Sequence, residues 1–408
     1  MVFPESRILA GVRVLLVQRF DLANVGCAER IWRQGEELAG RGHKVVLVQF
    51  PHPERRETHP RLRPDFPEGV RGVELDRRAG AFSRNRRTIQ REVESTHLVH
   101  LWKAYPDIAL PVLWALKNCP KPLHYDWDDL EGGQGGIAER LTESPSVGRL
   151  LSKWEREILE WADTVTVASG ELERLCLEWG FPQDRLFPGP VGAVRIEPDK
   201  SLVNPWRVRL EGKRNLIFLG QMEAEDFPLE ILEGFKQAAA RVENLQLILI
   251  GDGSGRARLE QKARELEIYE KTLFTGYLPW EEAQAALSVA DASLFPLKDD
   301  PMSRCKSPLV VVEALSHGVP VIGSSVGEVP KMVGDAGILV SGTDPKEWAD
   351  AIVNLLEDRA RLSELKEKAR KRHEESWTWE KAVDRLEEAY EKAIMVNRGA
   401  IRGIKIPR

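Results

Sequence analysis

Short apolar runs alternate with segments of helical period along most of this chain. Residues 12–17 form an apolar run of buried-strand length. A helix follows, on which Ala28, Ile31, Trp32, Gly35, Leu38 and Ala39 recur at helical spacing. Gly40 and Gly42 close it, and residues 45–48 make the next strand. Strand, helix, strand with fully apolar strands predicts a parallel sheet covered on both faces. The pattern breaks over residues 51–92, rich in proline, arginine and charge, where only a strand near 70–75 is expected, inside long loops. It resumes with strands at 97–102, 122–125 and 164–169 and helices at 108–116 and 172–179.

A proline- and glycine-rich passage from Phe187 to Pro205 then interrupts the pattern, and the motif restarts. Strands are predicted at 215–220, 245–250, 273–276, 292–295, 319–323 and 337–340, with helices between them. The last helices run from about 345 to 395 and bend at Trp377-Thr378-Trp379. The reading is an α/β chain of two doubly wound parallel-sheet domains. The first spans residues 1–192, with 376–408 packing back on it. A linker covers 193–212, and the second domain covers 213–375. Ligands of such sheets bind outside the carboxyl ends of the strands, so a cleft faced by both domains is expected to hold the site.

Composition narrows the class. A chain of 408 residues, 42% hydrophobic and 30% charged, can bury two cores. A formal net charge of −5 gives no general pull toward nucleic acid. Four dispersed cysteines without a C-x-x-C pair point away from a zinc site or disulfide framework and toward a reducing, cytoplasmic setting. The N-terminus does not read as a signal peptide, and no apolar run reaches membrane-spanning length. Charge is locally uneven. Eleven arginines crowd positions 55–91, and the tail after Glu391 carries five basic residues and no acid. A solvated loop and a frayed terminus are the plain readings. An anionic acceptor, or peripheral contact with the inner face of a membrane, is the functional one.

The most informative stretch is Lys306 to Pro330. It reads as a short helix, a Gly318 exit, a buried strand and a Gly327 turn into a new helix. Glu313 is a lone carboxylate on an otherwise apolar helix. Burying it requires hydrogen-bond partners, which ligand hydroxyls could supply. This segment resembles the donor-binding signature of retaining glycosyltransferases of family 4 (group 1), E-x7-E followed by a small-residue turn. Other segments resemble the same family in order along the chain. They are Gly26-Cys27-Ala28-Glu29 before a helix, Arg41-Gly42-His43, Val99-His100-Leu101-Trp102, Val165 to Ser169, Ile250-Gly251-Asp252-Gly253 and Phe274-Thr275-Gly276.

The resemblance implies the GT-B fold and transfer of a hexose-type sugar from a UDP- or GDP-linked donor to an acceptor hydroxyl, with retention and without a bound metal or other cofactor. The donor is a co-substrate; the acceptor would be a glycan or a lipid-linked or cell-envelope precursor. On the donor side it implies Glu313 at the ribose hydroxyls, with Gly251, Asp252, Gly253, Tyr277, Gly327 and Glu328 around the nucleotide; an ordinary αL turn at Gly251 to Gly253 and a packing role for Tyr277 are the plain alternatives. Gly26 and Cys27 would form a phosphate loop at a helix N-terminus. His100 would meet the transferred sugar or acceptor, with a hydrogen-bonded core histidine as the equal alternative.

Asp126, Asp128 and Asp129 cluster at a strand end. Close carboxylates raise one another's pKa, which suits acceptor-hydroxyl binding or acid–base work. A loop with a helix cap is the plain alternative. Asp126-Trp127-Asp128 also matches the D-x-D metal motif of a different fold, a context this chain lacks.

Four positions depart from the family pattern. Gln221 and Asp226 stand where an arginine and a lysine usually clamp the diphosphate. Cys305 replaces the first glutamate, and Gly189-Pro190 replaces an Asn-Gly turn. Arg304 and Lys306 could supply replacement charge. These departures also allow a second reading, a non-catalytic homologue that binds a nucleotide sugar, a glycan or a partner subunit.

Overall fold

The computed structural model describes residues 11–23, 26–51, 66–78, 80–142, 144–222 and 227–403. These divide into two compact units, Met1–Pro190 with Trp379–Arg408, and Val191–Thr378.

In the first unit, β1 (Arg13–Val17) leads through a short 3-10 turn (Gly26–Ala28) into α1 (Glu29–Gly40) and β2 (Lys44–Gln49). The helix ends where Gly42 and His43 donate back to Ala39 and Leu38. Then come β3 (Arg71–Glu74), α2 (Phe82–Ser95), β4 (Leu98–Trp102), α3 (Pro106–Asn118) and β5 (Leu123–Trp127). They are followed by α4 (Ile137–Thr142), α5 (Pro145–Trp161), β6 (Thr164–Val167), α6 (Gly170–Glu178) and β7 (Leu186–Pro188). All seven strands are parallel, in the order β3-β2-β1-β4-β5-β6-β7. The order reverses between β1 and β4, so the chain ends of these two strands flank the switch point where open α/β sheets hold ligands.

Helices α2 and α3 pack side by side, as do α3 and α5. The opposite sheet face carries α1 and the returning helix α16 (Trp379–Gly403), which buries Val383, Leu386, Tyr390 and Ala393 against Ile31, Leu38, Leu98 and Trp102. Region 51–92, expected to be loops around one strand, contains α2. Ile89 and Val93 fall on one face of it and are buried, while its many arginines hide that period in the sequence.

The second unit repeats the plan. Helix α7 (Lys200–Leu210) precedes β8 (Arg214–Leu219), α8 (Glu230–Ala239), β9 (Leu245–Ile250), α9 (Arg256–Glu265), β10 (Thr272–Gly276) and α10 (Trp280–Leu287). Next are β11 (Ala292–Phe295), α11 (Pro301–Cys305), α12 (Leu309–Ser316), β12 (Val321–Ser324), α13 (Val329–Val333), β13 (Gly337–Val340), α14 (Pro345–Glu357) and α15 (Arg359–Ser376). Its six parallel strands run β10-β9-β8-β11-β12-β13, with the switch between β8 and β11. The passage 193–212, expected as a linker, holds α7. Asp199 caps this helix, Val203, Trp206 and Leu210 are buried, and it packs on α10. Prolines 198 and 205 gave the passage its linker-like composition, although Pro205 sits within the helix.

Candidate functional site

At the switch point of the first sheet, the residue after β4 is Lys103, in the left-handed region at φ 63°. Its side chain is buried and its ammonium is shared by three carboxylates. Asp129 lies at 2.8 Å and Asp128 at 3.2 Å, and Glu131 bonds it directly. Glu131 also accepts from the Tyr105 hydroxyl. The loop that carries the acids is fastened from below by Glu155 on α5. Its carboxyl accepts from the backbone N–H groups of Glu131 (2.9 Å) and Gly132 (3.1 Å) and from the Trp127 indole (3.1 Å). A Cβ on Gly132 would lie 2.0 Å from the Ser152 nitrogen, so only glycine lets this loop lie on α5.

One cation for three acids leaves the group electrostatically unequal. Burial opposes the charge of Lys103, but the three carboxylates outweigh it and hold its pKa well above the ordinary lysine value. Asp128 moves the other way for an acid: burial pushes its carboxyl up to about 7, Lys103 opposes, and Asp129 adds to the rise. The two directions agree physically, because Lys103 is stabilised by every acid while each acid receives only part of one cation. Burial pushes Glu155 up to about 8 against its backbone hydrogen bonds.

Asp126 belongs to a different neighbourhood. It lies on the face of β5 toward α1 and α16 and is fully buried. Arg30 grips both its oxygens, at 2.7 and 2.8 Å, Gln34 donates at 3.1 Å and Thr166 at 2.7 Å. Burial alone would raise its pKa; the charge and hydrogen bonds of Arg30 reverse that and hold it well below the usual carboxylate range. His100 is also fully buried, with Nδ1 2.7 Å from the Tyr390 hydroxyl and Nε2 3.7 Å from Asp126. Burial first, and then Arg30, lower its pKa to about 4, against the pull of Asp126. Both are buried and join β4, β5, α1 and α16: Asp126 is fully partnered by the protein, while His100 is held through Nδ1 and its Nε2 has no hydrogen-bond partner. Arg30 also donates to the Gly189 carbonyl at 2.8 Å, which ties the Gly189-Pro190 turn to the same pair.

Gly26 and Cys27 precede α1, as a phosphate loop requires. Cys27 retains solvent contact, yet desolvation first, and then Asp128, Asp129 and Glu131, push its thiol up to about 12, with Lys103 opposing. A neutral thiol beside a net-negative cluster suits hydroxyls better than a phosphate. Asp126 and Asp128 diverge, so they do not form a D-x-D metal clamp. Among the described residues, no three His, Cys, Asp or Glu side chains could hold a metal ion.

In the second unit the carboxyl ends of β8, β9 and β10 are stitched together. Gly220 N–H donates to Ile250, Met222 to Asp252, Gly255 to Met222 and Gly251 to Gly276. Gly251 has φ +134°, and a Cβ there would sit 1.8 Å from the Gly220 oxygen. This close approach fixes Gly251-Asp252-Gly253 beside the exposed Gln221. Asp252 accepts from Gly253 N–H at 2.9 Å and pairs with Arg256 at 3.2 Å. Tyr277 follows Gly276 and is exposed. Asp226 lies outside the described residues.

Across the switch, Asp300 caps α11 by accepting from Ser303 N–H. Arg304 is exposed and paired with Asp299 at 2.6 Å, Cys305 is buried, and Lys306 follows the helix half-buried. Gly327, at φ +57°, lies against α11: a Cβ would be 2.7 Å from the Ser303 oxygen and 2.8 Å from the Arg304 oxygen. Glu328 is buried and pairs with Lys331 at 3.2 Å.

Glu313 is buried on α12, and its Oε1 accepts from Gln284 Nε2 at 2.8 Å and Trp280 Nε1 at 3.2 Å. Gln284 is oriented in turn by its oxygen lying 2.9 Å from His317 Nε2. The protein thus supplies hydrogen-bond partners of its own to a carboxylate expected to rely on a ligand.

Gly251 to Gly253 and Tyr277 follow the carboxyl ends of β9 and β10, Gly327 and Glu328 follow β12, and Glu313 lies on α12 against α10, while the acceptor-side set is split. Asp128 and Asp129 converge on Lys103, while Asp126 and His100 do not. Sequence reasoning missed Lys103, Tyr105, Glu131, Glu155 and Arg30 in the first unit, and Trp280 and Gln284 in the second. A charged residue directly after the apolar strand 98–102, and the run Glu131-Gly-Gly-Gln-Gly-Gly136 after Asp129, are signals that could have found Lys103 and Glu131.

Comparison with known proteins accords with this geometry. Among solved structures, sucrose-phosphate synthase from Thermosynechococcus elongatus aligns with 94% of this chain and 99% of its own at a TM-score of 0.69 and 21% identity. Anabaena HepE, solved with UDP and glucose, aligns with 93% of this chain and 99% of its own at 0.72 and 14%. These likenesses show the fold, GT-B. D-inositol 3-phosphate glycosyltransferases from Nocardia farcinica and Thermomonospora curvata are each 29% identical. The matches cover 61% and 62% of this chain, but only 57% and 62% of those proteins. Residues 25–192 match the glycosyl transferase 4-like domain and residues 213–358 match glycosyl transferases group 1. The two matches together span most of the sequence, and the chain belongs to the group 1 glycosyltransferases.

Proposed function

We propose that this protein transfers a hexose-type sugar from a nucleoside-diphosphate donor to a neutral hydroxyl acceptor, with retention at the anomeric carbon. The observation that carries the reading is the Lys103–Asp128–Asp129–Glu131 cluster at the switch point of the first sheet, in a chain whose second sheet edge has the glycine-lined strand ends a nucleotide requires. HepE, of the same fold, was solved with UDP and glucose, which supports a uridine-linked donor.

In this reading the donor binds at Gly251 to Gly253, Tyr277, Glu313 and the Gly327 turn, without a metal or other cofactor. Gln221, Arg304 and Lys306 face the diphosphate; backbone N–H groups of the Gly327–Glu328 turn add to them, since prearranged donors meet the charge growing on the leaving group. The acceptor binds at the first unit. Asp128, ionised, accepts a hydrogen bond from the acceptor hydroxyl and orients it. Lys103 keeps Asp128 charged often enough to act near neutral pH. The bond from the anomeric carbon to the phosphate oxygen breaks, the acceptor oxygen bonds the same face of that carbon, and the hydroxyl proton passes to the departing diphosphate.

The relatives' names specify a phosphorylated acceptor. Three acids around one lysine make the corresponding edge here net negative, which favours a neutral acceptor such as a glycan or a lipid-linked sugar. Incubation with UDP- and GDP-linked hexoses, with nucleoside diphosphate release as the readout, tests the reading. Slow release without acceptor, accelerated by neutral saccharides, is expected. Donor binding with no release under any condition would favour the non-catalytic homologue, to which Gln221 and the buried Cys305 belong equally well.

A further inference from the structure

We propose that the α2–α3 face of the first unit docks on an anionic lipid surface. The inference does not depend on the transfer reaction, and it assigns a specific surface to the membrane contact that the arginine content allows. Both helices connect parallel strands, α2 leading into β4 and α3 leading out of it, so they run the same way on one side of the sheet. The guanidinium of Arg86 stacks 4.2 Å over the Trp114 ring and fixes their level. The row Phe82–Arg86 thereby lies beside the row Leu110–Trp114.

Three large apolar side chains stand open on this face: Phe82 is 49% exposed, Leu110 43% and Trp114 39%. Packing within the unit does not need them there, since Ile89, Val93, Ile108, Val112 and Leu116 already bury the inner faces of the two helices. Aromatic and aliphatic side chains beside arginine are what the boundary between headgroups and acyl chains accommodates.

The charge balance points the same way. Most acids near this face are matched: Asp76 by Arg78 and Arg84, Glu92 by Arg71, Asp107 by Arg19; Glu94, exposed on α2, accepts from Gln90 and pairs with no cation among the described residues. Arg87 and Arg91 are exposed and donate only to carbonyls of their own helix, and neither meets a carboxylate among the described residues. Arg86, held by Trp114, has no acidic partner there either. Three guanidinium groups against one unpaired carboxylate leave the patch net positive, although the whole chain carries a net charge of −5. Each basic side chain near an anionic bilayer strengthens partitioning by roughly fivefold. An acidic bilayer complements both the charge and the exposed rings, whereas a neutral bilayer meets only the rings.

Cosedimentation of the full chain with phosphatidylglycerol-containing vesicles, and with phosphatidylcholine vesicles alone, tests this. The wild type should partition onto the anionic vesicles at least tenfold better, and about 1 M NaCl, where the Debye length falls to about 3 Å, should release most of it. Arg87→Glu with Arg91→Glu should cost more than tenfold. Leu110→Ala with Trp114→Ala should cost several-fold and leave the salt dependence unchanged. Arg258→Glu, an exposed charge on the second unit, should bind like wild type. Melting curves confirm that each variant folds, and the milder Arg87→Gln with Arg91→Gln should fall between the extremes. Wild-type protein left in the supernatant with anionic vesicles overturns the proposal, as would an acidic protein or RNA as the only ligand. Equal partitioning of Arg87→Glu/Arg91→Glu and wild type, or an equal loss in Arg258→Glu, overturns it too.

Discussion

Asp126 and Asp128 are two residues apart, and the fold puts them to opposite uses. Asp126 still belongs to β5, so its side chain falls on the face that α1 and α16 cover. There it meets Arg30, Gln34 and Thr166, and its charge is balanced within the protein. Asp128 lies past the strand end, where the chain leaves the sheet. It competes with Asp129 and Glu131 for one ammonium, and burial holds its carboxyl near 7. A carboxylate with dedicated partners is structural and inert at neutral pH. One that receives only part of a cation at a switch point can change its protonation or accept a hydrogen bond from a ligand.

The largest expected break of this contrast is Arg30→Ala. It strands the Asp126 charge in the interior and should cost about 3–5 kcal/mol in denaturant unfolding. Asp128→Asn should leave folding nearly unchanged and slow transfer by about 100-fold, the scale of losing the group that orients a reacting hydroxyl. A comparable activity loss from Asp126→Asn in protein that remains fully folded would erase the distinction.

The pH dependence of stability sharpens it further. The folded pKa of Asp126 is depressed, so its contribution is complete above the ordinary aspartate value and is lost as pH falls through the lower folded value. Asp128 and Glu155 have raised pKa values and act oppositely. The folded state holds their protons longer than the unfolded chain, so both subtract stability as pH rises from about 4 toward 7 and 8. Unfolding of Asp128→Asn against pH should be flatter in that window. In Asp126→Asn the loss specific to acid should disappear instead.

Smaller effects are expected on the donor side. Gly327→Ala forces a Cβ onto the Ser303 and Arg304 carbonyls at positive φ and should cost about 1–3 kcal/mol. It should also weaken nucleotide binding, measured by calorimetry. Gln284→Ala removes a donor to Glu313 Oε1 and should raise the donor Kd by about tenfold, the lower end of the scale for one hydrogen bond to a charged group. An unchanged Kd would place Glu313 away from the donor.

The parallel sheets were legible because buried strands write themselves as apolar runs, and the glycine-rich exits of β9 and β12 marked the proposed donor edge. Helix α2 was hidden by its arginines, and α7 by the prolines around it. The proposed acceptor site was half legible. Asp126, Asp128 and Asp129 read alike as a cluster, because sequence shows proximity along the chain but not where a strand stops. That end point sends Asp126 to Arg30 and Asp128 to Lys103. Lys103 itself lies 25 residues before Asp128 and meets it only through the pairing of β4 with β5.

The most direct test of the account is the pH–rate profile of nucleoside diphosphate release with a neutral saccharide acceptor, for wild type, Lys103→Met and Asp128→Asn. The wild-type kcat/KM for acceptor should rise through a limb near 7, where Asp128 ionises. Removing the Lys103 ammonium should move that limb to higher pH, because the cation lowers the Asp128 pKa. Asp128→Asn should be slow and flat. An Asp128→Asn enzyme with the wild-type rate and the wild-type limb would contradict the account.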